Sequence, residues 1–295
     1  MPERTIGEIA IDRIIESEGP DIAPTHLIPE ATPENLAPHR HWLEPHILDP
    51  VTGNLVLAIQ SYLIRTEHHT ILIDTCVGND KERDFIDNWN MRSSMKYIND
   101  LAAHGLRPED IDFVMCTHMH SDHVGWNTRL IDGRWVPTFP NARYVFARTE
   151  WEFWEQKNRK KPNFSGGCLD DSVLPVIDAG LAEMVDSDYA IDDQIWLEPS
   201  PGHTPGHVSI RLASQGQNAV MCGDAIHSPV QCAHPEWSAS ACFDPEQSRR
   251  TRRSLLEGVC DTDTLLMTAH FPSPSMGHVV PAGNAFRFVP VDGKR

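Results

Sequence analysis

The sequence predicts an α+β protein, with β-sheets flanked by helices in one compact unit. Short β-rich apolar runs recur from residue 54 onward, and amphipathic helical stretches fall between them. No linker, internal repeat or low-complexity tract divides the chain. Its 295 residues suffice for a sizeable buried core.

The elements follow in order. Residues 18–50 are rich in Pro, His and acidic side chains. They read as an extended arm or loop, giving an N-terminal arm over 1–50 and one domain over 51–295; the arm is the candidate for homodimer contacts. "NLVLAIQSYLIRTEHHTILIDT" holds two β-rich runs around a polar turn, an expected antiparallel hairpin. "SSMKYINDLAAHG" places Met95, Ile98, Leu101 and Ala102 at helical spacing, with Ser93 or Ser94 as cap and Gly105 as stop. "IDFVMCT" reads as a buried strand ending before His118, "ARYVFA" as a strand and "RTEWEFWEQ" as a helix. "IWLEPSP", "HVSIRLAS" and "NAVMCGD" read as strands, "PEQSRRTRRSLLEGV" as a helix, and "TLLMTAH" and "FRFVPV" as strands.

The net charge is −17, from 42 acidic and 25 basic residues. Such a chain repels polyanions, so nucleic acid and anionic membrane are not expected partners. The run "RRTRR" (249–253) reads as a solvated helix face. Charges interrupt the first twenty residues, so no secretory signal is expected, and no apolar run approaches the roughly 20 residues of a membrane helix. Seven cysteines without a CxxC pair read as reduced cytoplasmic thiols, mostly small core residues.

The stretch "THMHSDHVG" (117–125) concentrates His118, His120, Asp122 and His123 at a strand end. Imidazole and carboxylate suit zinc and similar first-row divalent metals. Residues two apart in an extended segment point the same way, so His118 and His120 can share one ion while Asp122 and His123 face a second. Further ligand types follow strands in similar settings: His203 in "PSPGHTPGH", Asp224 in "VMCGDAIH" and His270 in "LLMTAHFP". His26, His39, His41, His68 and His69 read as residues without a metal role.

On these motifs the chain resembles the metallo-β-lactamase-fold hydrolase superfamily. "THMHSDHVG" carries its HxHxDH signature, and "GHTPGH", "GDAIH" and "TAHF" match its later metal motifs in order, over roughly residues 55–290. The resemblance implies a four-layer αββα sandwich with the metals at one edge of two sheets. It implies a first ion on His118, His120 and His203, a second on Asp122, His123 and His270, and Asp224 bridging them. Asp74 in "ILIDTCVGN" would orient a ligand histidine. Zinc is the default ion, with iron, manganese or cobalt also compatible. A water bridging two such ions loses a proton near neutral pH and attacks, while one ion polarises the scissile carbonyl or phosphoryl oxygen.

Among branches of the family, nucleic-acid processing conflicts with the charge. Only 25 residues follow His270, too few for the helical domain of glyoxalase-II-like thioesterases. True β-lactamases lack the bridging aspartate, and diiron flavoproteins carry Glu at the place of His120. The remaining resemblance is to lactonases and organophosphate hydrolases. Lactonases carry Tyr three residues after the bridging Asp, where this chain has His227, expected to position substrate or leaving group. The sequence-based assignment is therefore a dinuclear hydrolase of lactones or other carboxylic esters, with Asp122, Asp224 and His227 in catalysis. A phosphotriesterase-like hydrolase is the alternative. A non-catalytic sensor would show eroded ligands, whereas all seven are present. Trp89, Met91 and Phe164 are candidates for an apolar substrate wall.

Overall fold

The computed structural model describes residues 2–291. The chain divides into two compact units, residues 1–16 with 59–189 and residues 17–58 with 190–295.

The first unit carries β1 (Arg4–Ile6), β2 (Ile9–Ile22), β3 (Leu55–Arg65), β4 (Thr70–Ile73), β5 (Phe113–Met115), β6 (Thr128–Ile131), β7 (Arg134–Pro137), β8 (Arg143–Ala147) and β9 (Ala182–Val185). The far end of β2 and the start of β3 count with the second unit. The seven-stranded sheet has the order β1-β2-β3-β4-β5-β8-β9. β3 and β4 form the expected antiparallel hairpin, with Arg65 opposite Thr70. β4, β5, β8 and β9 then run parallel. Ile71–Ile73 and Phe113–Met115 are continuously buried, as parallel strands covered on both faces must be. β6 and β7 make a separate hairpin around Asp132-Gly133, both at positive φ. That Asp-Gly pair is a hairpin signal the sequence reading passed over.

Two longer helices belong to this unit. Lys96–Ala103 buries Tyr97 and Leu101, one turn apart, and the chain leaves it through Gly105 at φ 77°. It begins later than expected. Met95 occupies the cap position and is 56% exposed, not on the apolar face, while Ser94 Oγ accepts from the Lys96 amide. Arg148–Lys160 buries Glu150 and Trp154 and ends in Lys157, Arg159 and Lys160, cations suited to a helix C-terminus.

The second unit is built on β10 (Ile195–Pro199), β11 (Val208–Ser214), β12 (Gln217–Met221), β13 (Leu265–Met267), β14 (Met276–Ala282) and β15 (Ala285–Pro290), in sequential order. Only the β12–β13 pair among them is parallel. A parallel neighbour needs a crossover, and the helix Pro245–Val259 supplies it. Asp244 caps that helix by accepting from the Gln247 amide, Pro245 fills its first position, and Leu255, Leu256 and Val259 face inward.

Two expectations are corrected here. Part of "RRTRR" is not solvated: Arg252 is fully buried. Its guanidinium donates to the carbonyls of Ala225, Pro235 and Trp237 and to Ser248 Oγ. Several fixed donors satisfied at once make that burial tolerable. Burial lowers its pKa to about 10. Residues 18–50 are also not an extended arm. They continue β2 and then form short helices at Pro24–Leu27, Pro33–Leu36 and Arg40–Leu43. Ile28, Leu36, Leu43 and Leu48 are buried with Leu55, Val230 and Trp237. Leucines and isoleucines spaced among prolines supply that small core, a spacing too irregular to register as periodic.

All seven cysteines are free, and six are buried. Burial pushes the Cys116 and Cys222 thiols well up, and that of Cys168 to about 12. Thiols held protonated in this way behave as core residues. Among the described residues, no helix is long and apolar enough to cross a membrane.

Candidate metal centre

The HxHxDH stretch leaves the carboxyl end of β5, beside the turn that leaves β4. Asp74 sits in that turn at φ 57°, which a short Asp side chain tolerates. One carboxylate oxygen accepts the Thr117 amide at 2.8 Å. The other accepts the Thr117 hydroxyl at 2.9 Å and His123 Nδ1 at 2.8 Å. The Thr117 hydroxyl, having given its proton to Asp74, accepts from His118 Nδ1 at 3.0 Å. One aspartate thereby fixes two tautomers: His118 and His123 both turn an Nε2 lone pair outward.

The rest of this cluster is held as firmly. Ligand-type atoms of His118 and His120 lie within 4.8 Å of one another, as do those of Asp122 and His123. His118 Nε2 is 2.9 Å from His120 Nδ1. Glu150, buried in the helix Arg148–Lys160, accepts the Met119 amide at 3.0 Å and the Trp154 indole N–H at 2.6 Å. The Trp154 ring then meets His120 edge-on at 5.3 Å. Gly125 closes the stretch against the β4 turn, where an added Cβ would lie 1.8 Å from the Val77 carbonyl oxygen.

In the second unit Asp224 follows β12. Its Oδ2 lies 3.1 Å from His203 Nε2 and 3.1 Å from His227 Nε2, and its Oδ1 lies 2.9 Å from His270 Nε2. His270 Nδ1 donates to the Ala58 carbonyl at 3.0 Å, which leaves a lone pair on Nε2. A lone pair facing a carboxylate oxygen at that distance repels unless a proton or a metal ion lies between them. The donor set therefore fits a divalent cation. Burial pulls the His203 pKa down to about 3 against the opposing effect of Asp224, so the imidazole is held neutral, the form that ligates.

His207, the second histidine of "GHTPGH", accepts the Asp224 amide on Nε2 at 3.0 Å and is held by Ser200 Oγ at 2.8 Å. Arg252 holds the carbonyl of Ala225. Gly202 packs its α-carbon against the Pro245–Val259 helix, where a Cβ would lie 2.3 Å from the Ser248 amide nitrogen.

The candidate wall residues lie in the first unit. Trp89 and Phe164 are half-buried against its core, and the Phe164 ring lies 5.2 Å from that of Trp154. Met91 is 55% exposed. Sequence reasoning missed Thr117, Glu150 and His207 as braces of the ligand set. His207 was visible in its motif; Glu150 had no signal beyond an acid inside a helix.

Fold and side chains define a mixed α/β protein with histidine and aspartate gathered at strand ends, a class built to hold divalent metal. The chain belongs to the metallo-beta-lactamase superfamily, whose profile matches residues 55–270, and it has that fold. It is similar to the N-acyl homoserine lactonase AiiA of Bacillus thuringiensis subsp. kurstaki, 24% identical over 227 residues, covering 73% of this chain and 82% of that protein. N-acyl homoserine lactonase AttM of Azorhizobium caulinodans is 28% identical over 141 residues, covering 43% of this chain and 46% of the relative. Among solved structures, hydrolase AbOPH in the beta lactamase superfamily superposes with a TM-score of 0.81 at 22% identity, covering 100% of this chain and 98% of the other. AidC, a dizinc quorum-quenching lactonase in complex with a product, superposes with a TM-score of 0.78 at 21% identity, covering 99% and 97%.

Proposed function

We propose that this protein is a dinuclear metal hydrolase that opens lactones or related carboxylic esters. It is a metal-dependent hydrolase of the metallo-β-lactamase fold, and histidine and aspartate clusters able to hold metal lie at its strand ends. We assign the ligands as the family motifs imply. His118, His120 and His203 would hold one ion, Asp122, His123 and His270 the other, and Asp224 would bridge them. The carrying observation is the Asp224 carboxylate facing imidazole nitrogens at 2.9–3.1 Å, one of them with its lone pair fixed toward it.

Zinc is our choice of ion. When bound, the ions would lower the pKa of water and polarise the substrate carbonyl. The chain's own residues do the rest. Asp74 and Thr117 keep His118 and His123 in the ligating tautomer. Glu150 fixes the backbone between His118 and His120, and His207 fixes that of Asp224. Asp122 and Asp224 supply negative charge that balances the cations. His227 is 3% exposed and its Nε2 faces Asp224. Its imidazole is the group we assign to orient the substrate carbonyl or return a proton to the leaving oxygen.

The substrate class rests on the relatives, which are N-acyl homoserine lactonases. His227, in place of the tyrosine of that branch, keeps phosphotriesters as a second reading. We place the enzyme in the cytoplasm, acting on small molecules as a homodimer, with no nucleic-acid or membrane partner; Trp89, Met91 and Phe164 would line the substrate wall. Elemental analysis followed by turnover of acyl-homoserine lactones, aryl esters and phosphotriesters tests the whole reading. Two ions per chain and preferred lactone turnover are expected. One ion, or no turnover of any panel member by metal-loaded protein, would overturn it. For His227→Ala, both ions retained with kcat/KM down about 10²-fold supports the assigned role; lost metal makes it a ligand, and unchanged turnover makes it structural.

A further inference from the structure

Glu16 is an acid in an apolar place. It lies on the side of β2 that carries Asp12 and Ile14, and it is 4% exposed. Ile14 belongs to the same buried core as Cys76, Val77, Tyr97 and Trp126. A carboxylate in such surroundings needs donors that offset its lost solvation. Glu16 Oε2 accepts the Val77 amide at 3.0 Å, and its Oε1 accepts the Gly78 amide at 3.1 Å and the Trp126 indole N–H at 2.7 Å. Arg92 Nε stands 3.9 Å from Oε1 as the facing cation.

Those three donors come from the two stretches that build the ligand cluster of the first unit. One stretch is the turn after β4, from Asp74 to Gly78, in which Asp74, Cys76 and Gly78 all take positive φ. The other leaves His123 through Gly125 and Trp126. Backbone bonds zip the two together. The Thr75 amide donates to the His123 carbonyl at 2.8 Å, the Trp126 amide to the Thr75 carbonyl at 2.7 Å, and the Gly125 amide to the Cys76 carbonyl at 2.7 Å. At one end of this zipper Asp74 Oδ2 meets His123 Nδ1 at 2.8 Å. At the other end one Glu16 carboxylate holds Val77 and Gly78 of the turn and Trp126 of the loop at once. An apolar side chain there would leave three buried N–H groups without that acceptor.

We infer that Glu16 is a positioning residue for His123, acting through the Asp74 turn. Its carboxylate fixes how far the turn stands from the loop, and so preserves the Asp74–His123 contact that selects the ligating tautomer. This rests on the reading of His123 as a metal ligand.

Zinc affinity, measured by chelator competition in the wild type, Glu16→Gln, Asp74→Asn and the double variant, tests the role. Glutamine keeps the size of the side chain but turns an NH₂ group toward a donor. Glu16→Gln is expected to bind zinc about 10-fold more weakly, the lower end of the range for groups that orient ligands. In the Asp74→Asn background the same change should cost under about 2-fold, because the route to His123 is already cut. The visible absorption bands of the cobalt-loaded protein report ligand geometry, and they should shift in Glu16→Gln, which a general loss of stability does not produce. Trp126→Phe keeps the carboxylate and removes one donor. It should weaken zinc binding in the same direction, so the outcome does not depend on the folding of Glu16→Gln. Wild-type affinity and cobalt bands in both single variants overturn the inference and leave the metal centre standing. So does an undiminished loss in the Asp74→Asn background. A wild type that binds no zinc overturns the reading of the site itself.

Discussion

Asp74 and Lys81, seven residues apart in the first unit, show how differently two buried charges are handled. Asp74 gives its lone pairs to Thr117 and His123. In Asp74→Asn, the amide oxygen can still accept the Thr117 amide, but the NH₂ group cannot accept His123 Nδ1–H. His123 then loses its anchored tautomer, and metal affinity should fall about 10- to 100-fold, read by chelator competition, with little change in the unfolding midpoint of metal-free protein. Lys81 is fully buried, 2.8 Å from Thr128 Oγ1, 3.7 Å from Asp171 and over the Trp135 ring. Burial lowers its pKa from 10.5 to about 8, with Asp171 opposing and Arg83 assisting. Below pH 8 the lysine is charged in both folded and unfolded chains. Between about 8 and 10.5 the folded chain has released a proton that the unfolded chain still holds, so this group makes stability rise with pH. Urea unfolding of wild type and Lys81→Met across that window should differ in slope by up to about 1.4 kcal/mol per pH unit. Equal slopes would show that Lys81 is not held below its ordinary range.

At the scale of elements, both clusters of ligand-type residues follow strands that pair in parallel: β4 and β5 in one unit, β12 and β13 in the other. The side chains that matter sit in the turns just past the strand ends, where open α/β sheets bind ligands. Those turns are fixed by close backbone contact as well as by hydrogen bonds. Gly125 is the clearest case, donating to the Cys76 carbonyl at 2.7 Å with no space for a Cβ. Gly125→Ala should destabilise the protein by about 3 kcal/mol or more, because the obstructing atoms are backbone and cannot rotate away. Urea midpoints measure this, and a shift under about 0.5 kcal/mol would show that the turn has slack. The helix Pro245–Val259 does two tasks: its apolar side covers the second sheet, and Arg252 collects carbonyls from the stretch after Asp224.

For the whole molecule, the proposed ligands come from four separate stretches of chain, so bound metal should be coupled to folding. An ion that binds only the folded chain adds about 4 kcal/mol of stability at 1,000 times its Kd. Exhaustive chelation should therefore lower Tm by several degrees and abolish hydrolysis, and returning zinc should restore both. Unchanged Tm on demonstrated metal loss would show that the folded chain does not need the ions.

The identity, order and setting of the candidate ligands were legible in the sequence, since "THMHSDHVG", "GHTPGH", "GDAIH" and "TAHF" are local patterns and metal chemistry restricts which residues can appear in them. The β3–β4 hairpin, the buried strand β5 and the helix Pro245–Val259 were legible for the same reason: apolar patterning acts over a few residues. What only the tertiary structure decided are matters of distant partners. The Glu150 carboxylate meets the Met119 amide across 31 positions, and Asp74 meets His123 across 49. Arg252 is buried within a run that reads as solvated, because carbonyls from the stretches around Ala225 and Trp237 meet it there. The segment before residue 50 buries its scattered leucines against Val230 and Trp237, and His39 finds His234 across 195 positions. No local pattern encodes such pairs, because each is created by chain that folds back from far away.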